Sequence, residues 1–136
     1  MQIWLYFWFL LKFASQKPNY MADSINEEKY RALVTSGDDQ MAPLIAAILN
    51  PVGFDVCSVR PECSDTEFLN NFALIIVDGD PVYPIGNLAP AIVVISPSDQ
   101  IAAYDDGADI VLKKPLEANV FLAHVRSVLR RYGVRL

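Results

Sequence analysis

The sequence predicts a doubly wound α/β domain, a parallel sheet with helices on both faces. Three observations carry this. Residues Ala73 to Val77 are apolar at every position, as a central strand covered on both sides requires. Met41, Leu44, Ile45, Ile48 and Leu49 recur at spacings of 3, 1, 3 and 1, the stripe of an amphipathic helix between two β-like runs. The 136 residues are 53% apolar and 20% charged, which suits one folded domain and excludes a disordered chain.

The elements follow in order. Ala32 to Thr35 reads as the first strand, and the helix carrying the apolar stripe is stopped by Pro51 and Gly53. Phe54 to Val59 is the second strand. Ser64 followed by Glu67 has the form of a capping box and opens a short helix through Phe68 and Leu69, ending near Asn70 and Asn71. After the third strand, Ala73 to Val77, comes a segment holding Pro81, Pro84 and Pro90 with Gly79 and Gly86, in which no ordinary helix fits. Ile92 to Ile95 is the fourth strand, Ser98 to Tyr104 a short helix with Gly107 as its C-cap, and Ile110 to Leu112 the fifth strand. Glu117 to Arg131 closes the pattern as a helix, with Val120, Phe121, Val125, Val128 and Leu129 on one face and arginines on the other.

The first residues have a different composition. Residues 1–28 read as an apolar segment and a polar linker, ahead of a domain over 29–136. The run MQIWLYFWFLLKF is too short to span a bilayer and lacks the basic residues that precede the apolar region of a signal peptide. Three readings stay open for it: a segment buried against the domain, a weak membrane-surface anchor, or residues preceding a true start at Met21. Loss of a helix after the third strand is expected to leave one sheet face partly bare, to be covered by residues 3–11 or by a second subunit.

Charge and chemistry exclude several functions. Residues 21–136 carry 9 basic and 16 acidic side chains, which argues against direct nucleic-acid binding, although Arg126, Arg130, Arg131 and Arg135 concentrate near the end. Cys57 and Cys63 lack the spacing of a zinc site or disulfide framework and read as reduced thiols. His124 has no nucleophile or second histidine arranged around it, and no catalytic residues are expected. Neither GxGxxG nor GxxxxGK occurs, which disfavours a small-ligand binder at the strand ends.

Asp78 ending the third strand, Ser96 ending the fourth, and Lys114-Pro115 after the fifth give the chain a resemblance to the receiver domains of bacterial two-component response regulators, over about residues 30 to 132. The segment GADIVLKKPL, residues 107–116, is its most specific part. The resemblance implies a flavodoxin-like, five-stranded parallel sheet of order 2-1-3-4-5, here with the third helix missing or shortened. It places Asp78 at the phosphoacceptor position, Ser96 at the switch hydroxyl and Lys114 at the phosphate-contacting ammonium. Asp80 competes with Asp78, because it stands four residues before Pro84.

The chain also departs from the family. In the register set by the helix stripe, Ser36 and Gly37 occupy the positions of the acidic pair that holds Mg²⁺. Using Asp38 and Asp39 instead would turn Pro43, Ala46, Ala47 and Asn50 onto the apolar face, so those aspartates read as complements to the helix dipole. The usual aromatic of the fifth strand is Val111. The expectation is therefore a cytoplasmic, non-enzymatic signal-transduction module without a cofactor, working through a protein partner or homodimer, with its contacts on the helices after the fourth and fifth strands. No membrane partner and no output domain within the chain are expected. The alternative is a Mg²⁺-dependent phosphoacceptor at Asp78, with Asp38 and Asp78 as metal ligands, served by a histidine kinase.

Overall fold

The computed structural model describes residues 30–62 and 65–136. Five strands form one parallel sheet: β1 (Tyr30–Thr35), β2 (Phe54–Val59), β3 (Leu74–Asp78), β4 (Ala91–Ile95) and β5 (Ile110–Leu112), in the order β2-β1-β3-β4-β5. Among the described residues three α-helices connect strands, α1 (Met41–Leu49), α2 (Thr66–Leu69) and α3 (Gln100–Asp106), and a fourth, α4 (Ala118–Arg131), follows β5. This is the flavodoxin-like arrangement that the sequence predicted.

Successive side chains of a strand point to opposite faces, so the all-apolar β3 feeds two cores. Leu74 and Ile76, with Ala32, Val34 and Val93 of the neighbouring strands, meet α1 and α4 through Ile45, Leu49, Phe121, Val125 and Leu129. Ile75 and Val77, with Leu33, Ile92 and Val94, meet Leu69, Phe72, Tyr83, Ile85 and Ala103. Both cores are closed.

That closure corrects the expectation of a bare face. As predicted, no α-helix lies between β3 and β4, only a 3-10 turn, Ile85–Asn87. Yet the proline-rich segment places Tyr83 and Ile85 directly on the sheet, leaving Ile75, Ile92 and Val94 buried. The turn presses so closely on the end of α3 that a Cβ on Gly107 would lie 2.5 Å from Gly86 Cα. Two glycines therefore let backbone approach backbone where a helix would have needed side chains.

Smaller differences have local causes. Asp65 caps α2, its carboxylate accepting from Glu67 N at 3.1 Å and Phe68 N at 3.5 Å, and the capping role expected of Ser64 falls on a residue outside the described ones. α3 begins at Gln100 rather than Ser98 because Asp99 accepts the N–H of Ala102. Glu117 is the cap of α4 rather than its first residue, accepting from Asn119 N and Val120 N. Leu44 and Val120, placed on apolar helix faces, are 44% and 52% exposed, because each core-facing stripe is one residue narrower than the sequence pattern. The expectations for residues 3–11, Met21 and Cys63 also lie outside the described residues.

Candidate functional site

In a parallel sheet the chain leaves each strand at one edge, and the residues that follow converge there. β1 ends at Thr35, opposite Val77, so Ser36 arrives beside Asp78, the last residue of β3. Ser36 Oγ donates to Asp78 Oδ2 at 2.7 Å. Lys114, two residues past β5, brings its Nζ to 3.1 Å from Asp78 Oδ1. The carboxylate is nearly enclosed, with its side chain 9% exposed, whereas the lysine is 44% exposed. The Lys114–Pro115 peptide is cis.

The remaining sequence-predicted residues have other partners. Ser96, at φ 49°, accepts the backbone N–H of Lys114 on its Oγ at 3.1 Å, so its hydroxyl helps to place the lysine. Gly37 is exposed and has open space around it. Asp38 accepts the N–H of Gln40 at 2.9 Å at the start of α1, the helix-end role expected of it, while its own N–H donates to Ser36 Oγ at 2.9 Å. Asp39 is exposed beside it. Asp80 does not join Asp78; its carboxylate accepts Ser98 Oγ at 2.5 Å and Ser98 N at 2.7 Å. These bonds to Ser98, the side-chain one first, hold the Asp80 carboxyl below its ordinary range. Val111 gives its N–H to Tyr104 Oη at 3.0 Å.

The sequence reading located Ser36 but not its bond to Asp78, and it missed Ser98 and Tyr83. Tyr83 is buried with its hydroxyl 3.2 Å from Thr35 Oγ1, directly under the site. The only signal for Tyr83 was a lone aromatic in a segment of prolines and glycines. A groove of about 470 Å³ opens to one side, between α1 and β2, lined by Ser36, Asp38, Ala42, Val56 and Arg60 but not by Asp78 or Lys114.

A carboxylate held by a hydroxyl and an ammonium is a satisfied polar cluster. It can position the ends of β1, β3 and β5 relative to one another. No family model and no curated protein matches the sequence. Solved structures do match by fold. The signal receiver domain of a histidine kinase from Syntrophus aciditrophicus is 18% identical with a TM-score of 0.59, the match covering 75% of this chain and 91% of that one. A response regulator receiver protein from Burkholderia phymatum is 22% identical with a TM-score of 0.58, covering 75% and 96%. A CheY-like receiver domain protein from Methanospirillum hungatei is 14% identical with a TM-score of 0.61, covering 76% and 96%. The chain thus has the fold of the response-regulator receiver domains.

Proposed function

We propose that this domain is a signal-transduction module that acts by protein contact and does not depend on phosphorylation. The observation that supports this reading is the Ser36–Asp78–Lys114 cluster. A phosphorylated aspartate carries a dianion that a divalent cation must offset, and Mg²⁺ demands octahedral oxygen coordination, usually with one or two carboxylates. Asp78 is offered a hydroxyl where the second carboxylate would be, and Asp38 is engaged with α1. Among the described residues no three acidic, histidine or cysteine side chains gather into a metal site. This donor set does not fit the oxygen coordination that the ion requires.

The contact surface in this reading is the face of α3, β5 and α4. Ile101, Tyr104 and Val120 are exposed there, and Tyr104 leans across β5 to take the Val111 N–H. Exposed apolar side chains beside a sheet edge suit a protein partner or a second copy of the domain. A second reading, a Mg²⁺-dependent phosphoacceptor at Asp78 served by a histidine kinase, is favoured by one observation, the lysine ammonium on the carboxylate.

Beryllofluoride with millimolar Mg²⁺ separates the two. The expected outcome is no change in the amide spectrum around Asp78 and no adduct by mass; an adduct on Asp78 overturns the first reading in favour of the second. The paired substitution Ser36→Asp with Gly37→Asp should create measurable Mg²⁺ affinity. A folded double variant that binds no metal would show that these positions do not face the carboxylate.

A further inference from the structure

The two edge strands of the sheet are finished differently. β5 is three residues long, and the N–H of Val111 is taken by Tyr104 Oη at 3.0 Å. β2 is six residues long, holds neither proline nor lysine, and among the described residues has β1 as its only neighbour. Nothing in its sequence blunts it as an edge. The N–H of Tyr30 donates to Gly53 O at 2.9 Å, which sets the alternation along the strand. In a parallel pair alternate residues turn both backbone groups to the same side, so Asp55 and Cys57 face β1 while Val56 and Ser58 turn N–H and C=O outward. Val56 is half-buried and Ser58 exposed, and neither is hydrogen-bonded at that outer edge.

The groove of about 470 Å³ lies beside these two residues. Its apolar lining includes Ala42 and Ala46 of α1 together with Val56, side chains small enough to leave a channel between helix and strand. Where β1 and β2 end, it is lined by Asp38, Asp39 and Arg60, all exposed. Among the described residues none of these three is in an ion pair, and Asp38 gives only Oδ1 to the N–H of Gln40. Two carboxylates against one guanidinium leave this end of the groove acidic.

An open strand edge with a groove on the same side suits one kind of occupant, an extended peptide. Its backbone supplies the partners that Val56 and Ser58 lack, and every second side chain enters the groove. A docked helix would leave those groups unpaired, since its own N–H and C=O groups are bonded along its axis. We propose that β2 adds an extended segment of a partner protein, apolar over Ala42 and Ala46 and carrying a lysine or arginine over Asp38 and Asp39. This is a second contact surface, on the opposite edge of the sheet from the α3–β5–α4 face, and it does not depend on what happens at Asp78.

The probe is a set of blocked hexapeptides in which valine alternates with threonine and a lysine replaces each position in turn. Each is titrated to millimolar concentration into the isotope-labelled full chain, and amide shifts and amide exchange are followed by NMR. The expected result is saturable shifts at Ala42, Ala46, Val56 and Ser58, with slowed exchange of the Val56 and Ser58 N–H groups. Glutamate in place of the lysine in the best peptide should weaken binding by about fivefold, the most that an exposed ion pair supplies. Ser58→Pro removes one outward N–H and leaves the ladder to β1 intact, and should weaken binding by about tenfold. The exchange measurement on the parent chain tests the same pairing with no variant, should that one fail to fold. The proposal is overturned if no peptide of the set shifts Val56 and Ser58, if their exchange is unchanged in the bound state, or if a folded Ser58→Pro variant binds as the parent does. Shifts centred on Tyr104 and Val120 instead overturn it in favour of the α3–β5–α4 face.

Discussion

The two faces of the sheet solve one problem in different ways. On one, α1 and α4 lay continuous apolar stripes over Ala32, Val34, Ile76 and Val93. On the other, a four-residue helix, a 3-10 turn and the short α3 cover Leu33, Ile75, Ile92 and Val94. Both leave the three central strands, β1, β3 and β4, almost fully buried. What a parallel sheet requires is apolar volume at van der Waals contact, and a helix is one way to supply it. The second face supplies it with Tyr83 and Ile85, side chains delivered by a proline-rich chain whose φ angles are restricted in advance.

Cavity-creating substitutions test that equivalence. Phe121→Ala, beneath α4, should lose about 3–5 kcal/mol, and Ile85→Ala, in the 3-10 turn, about 2–5 kcal/mol. Equilibrium denaturation of both variants checks this. A loss below about 1 kcal/mol at Ile85 would break the comparison, because it would mean that the segment relaxes away and the second face is only loosely closed.

A smaller effect is expected at the contact between the turn and α3. Gly107 sits at φ 122° as the C-cap of α3, and an added Cβ would meet Gly86 Cα at 2.5 Å. Gly107→Ala should therefore cost about 1–3 kcal/mol through left-handed strain and backbone displacement. Gly53→Ala is the control: its φ is 105°, but the space around it is open, so it carries the strain without the clash. Equal losses at the two sites would remove the backbone contact as a cause of closure.

The first face was the more legible. Met41, Ile45 and Leu49 repeat with a helical period, and Phe121, Val125, Val128 and Leu129 do the same, so both helices could be read directly. Leu44 and Val120 fit the same pattern yet are exposed, since periodicity marks a stripe but not how wide a strip the sheet can cover. On the second face Tyr83 and Ile85 follow no period at all, and their burial depends on how the turn meets the end of α3, a tertiary contact. The strand ends divide in the same way. Asp78, Ser36 and Lys114 were placed by counting along elements, whereas the bond between Ser36 and Asp78 and that between Asp80 and Ser98 needed the loops in space.

The last and smallest effect concerns how the second face's cover is tethered. Asp80, fully exposed, joins the start of the proline-rich segment to the loop before α3 by accepting the hydroxyl and the N–H of Ser98. These bonds favour the charged carboxylate, so its folded pKa lies below the ordinary 3.8. A group with a lowered folded pKa stabilises the fold fully above the unfolded value, and that contribution is lost as pH falls through the folded value. Acidification below pH 3.8 should thus loosen residues 81–88 before α4, whose cover depends on buried apolar side chains. Carboxyl titration by NMR, with amide exchange at Tyr83, Ile85 and Leu88 against Val125 and Leu129, measures both. Ser98→Ala removes the larger cause and leaves the backbone bond, so the Asp80 pKa should rise towards 3.8 without reaching it. An unchanged pKa in that variant would mean that the tether is absent in solution and that packing alone holds the second face closed.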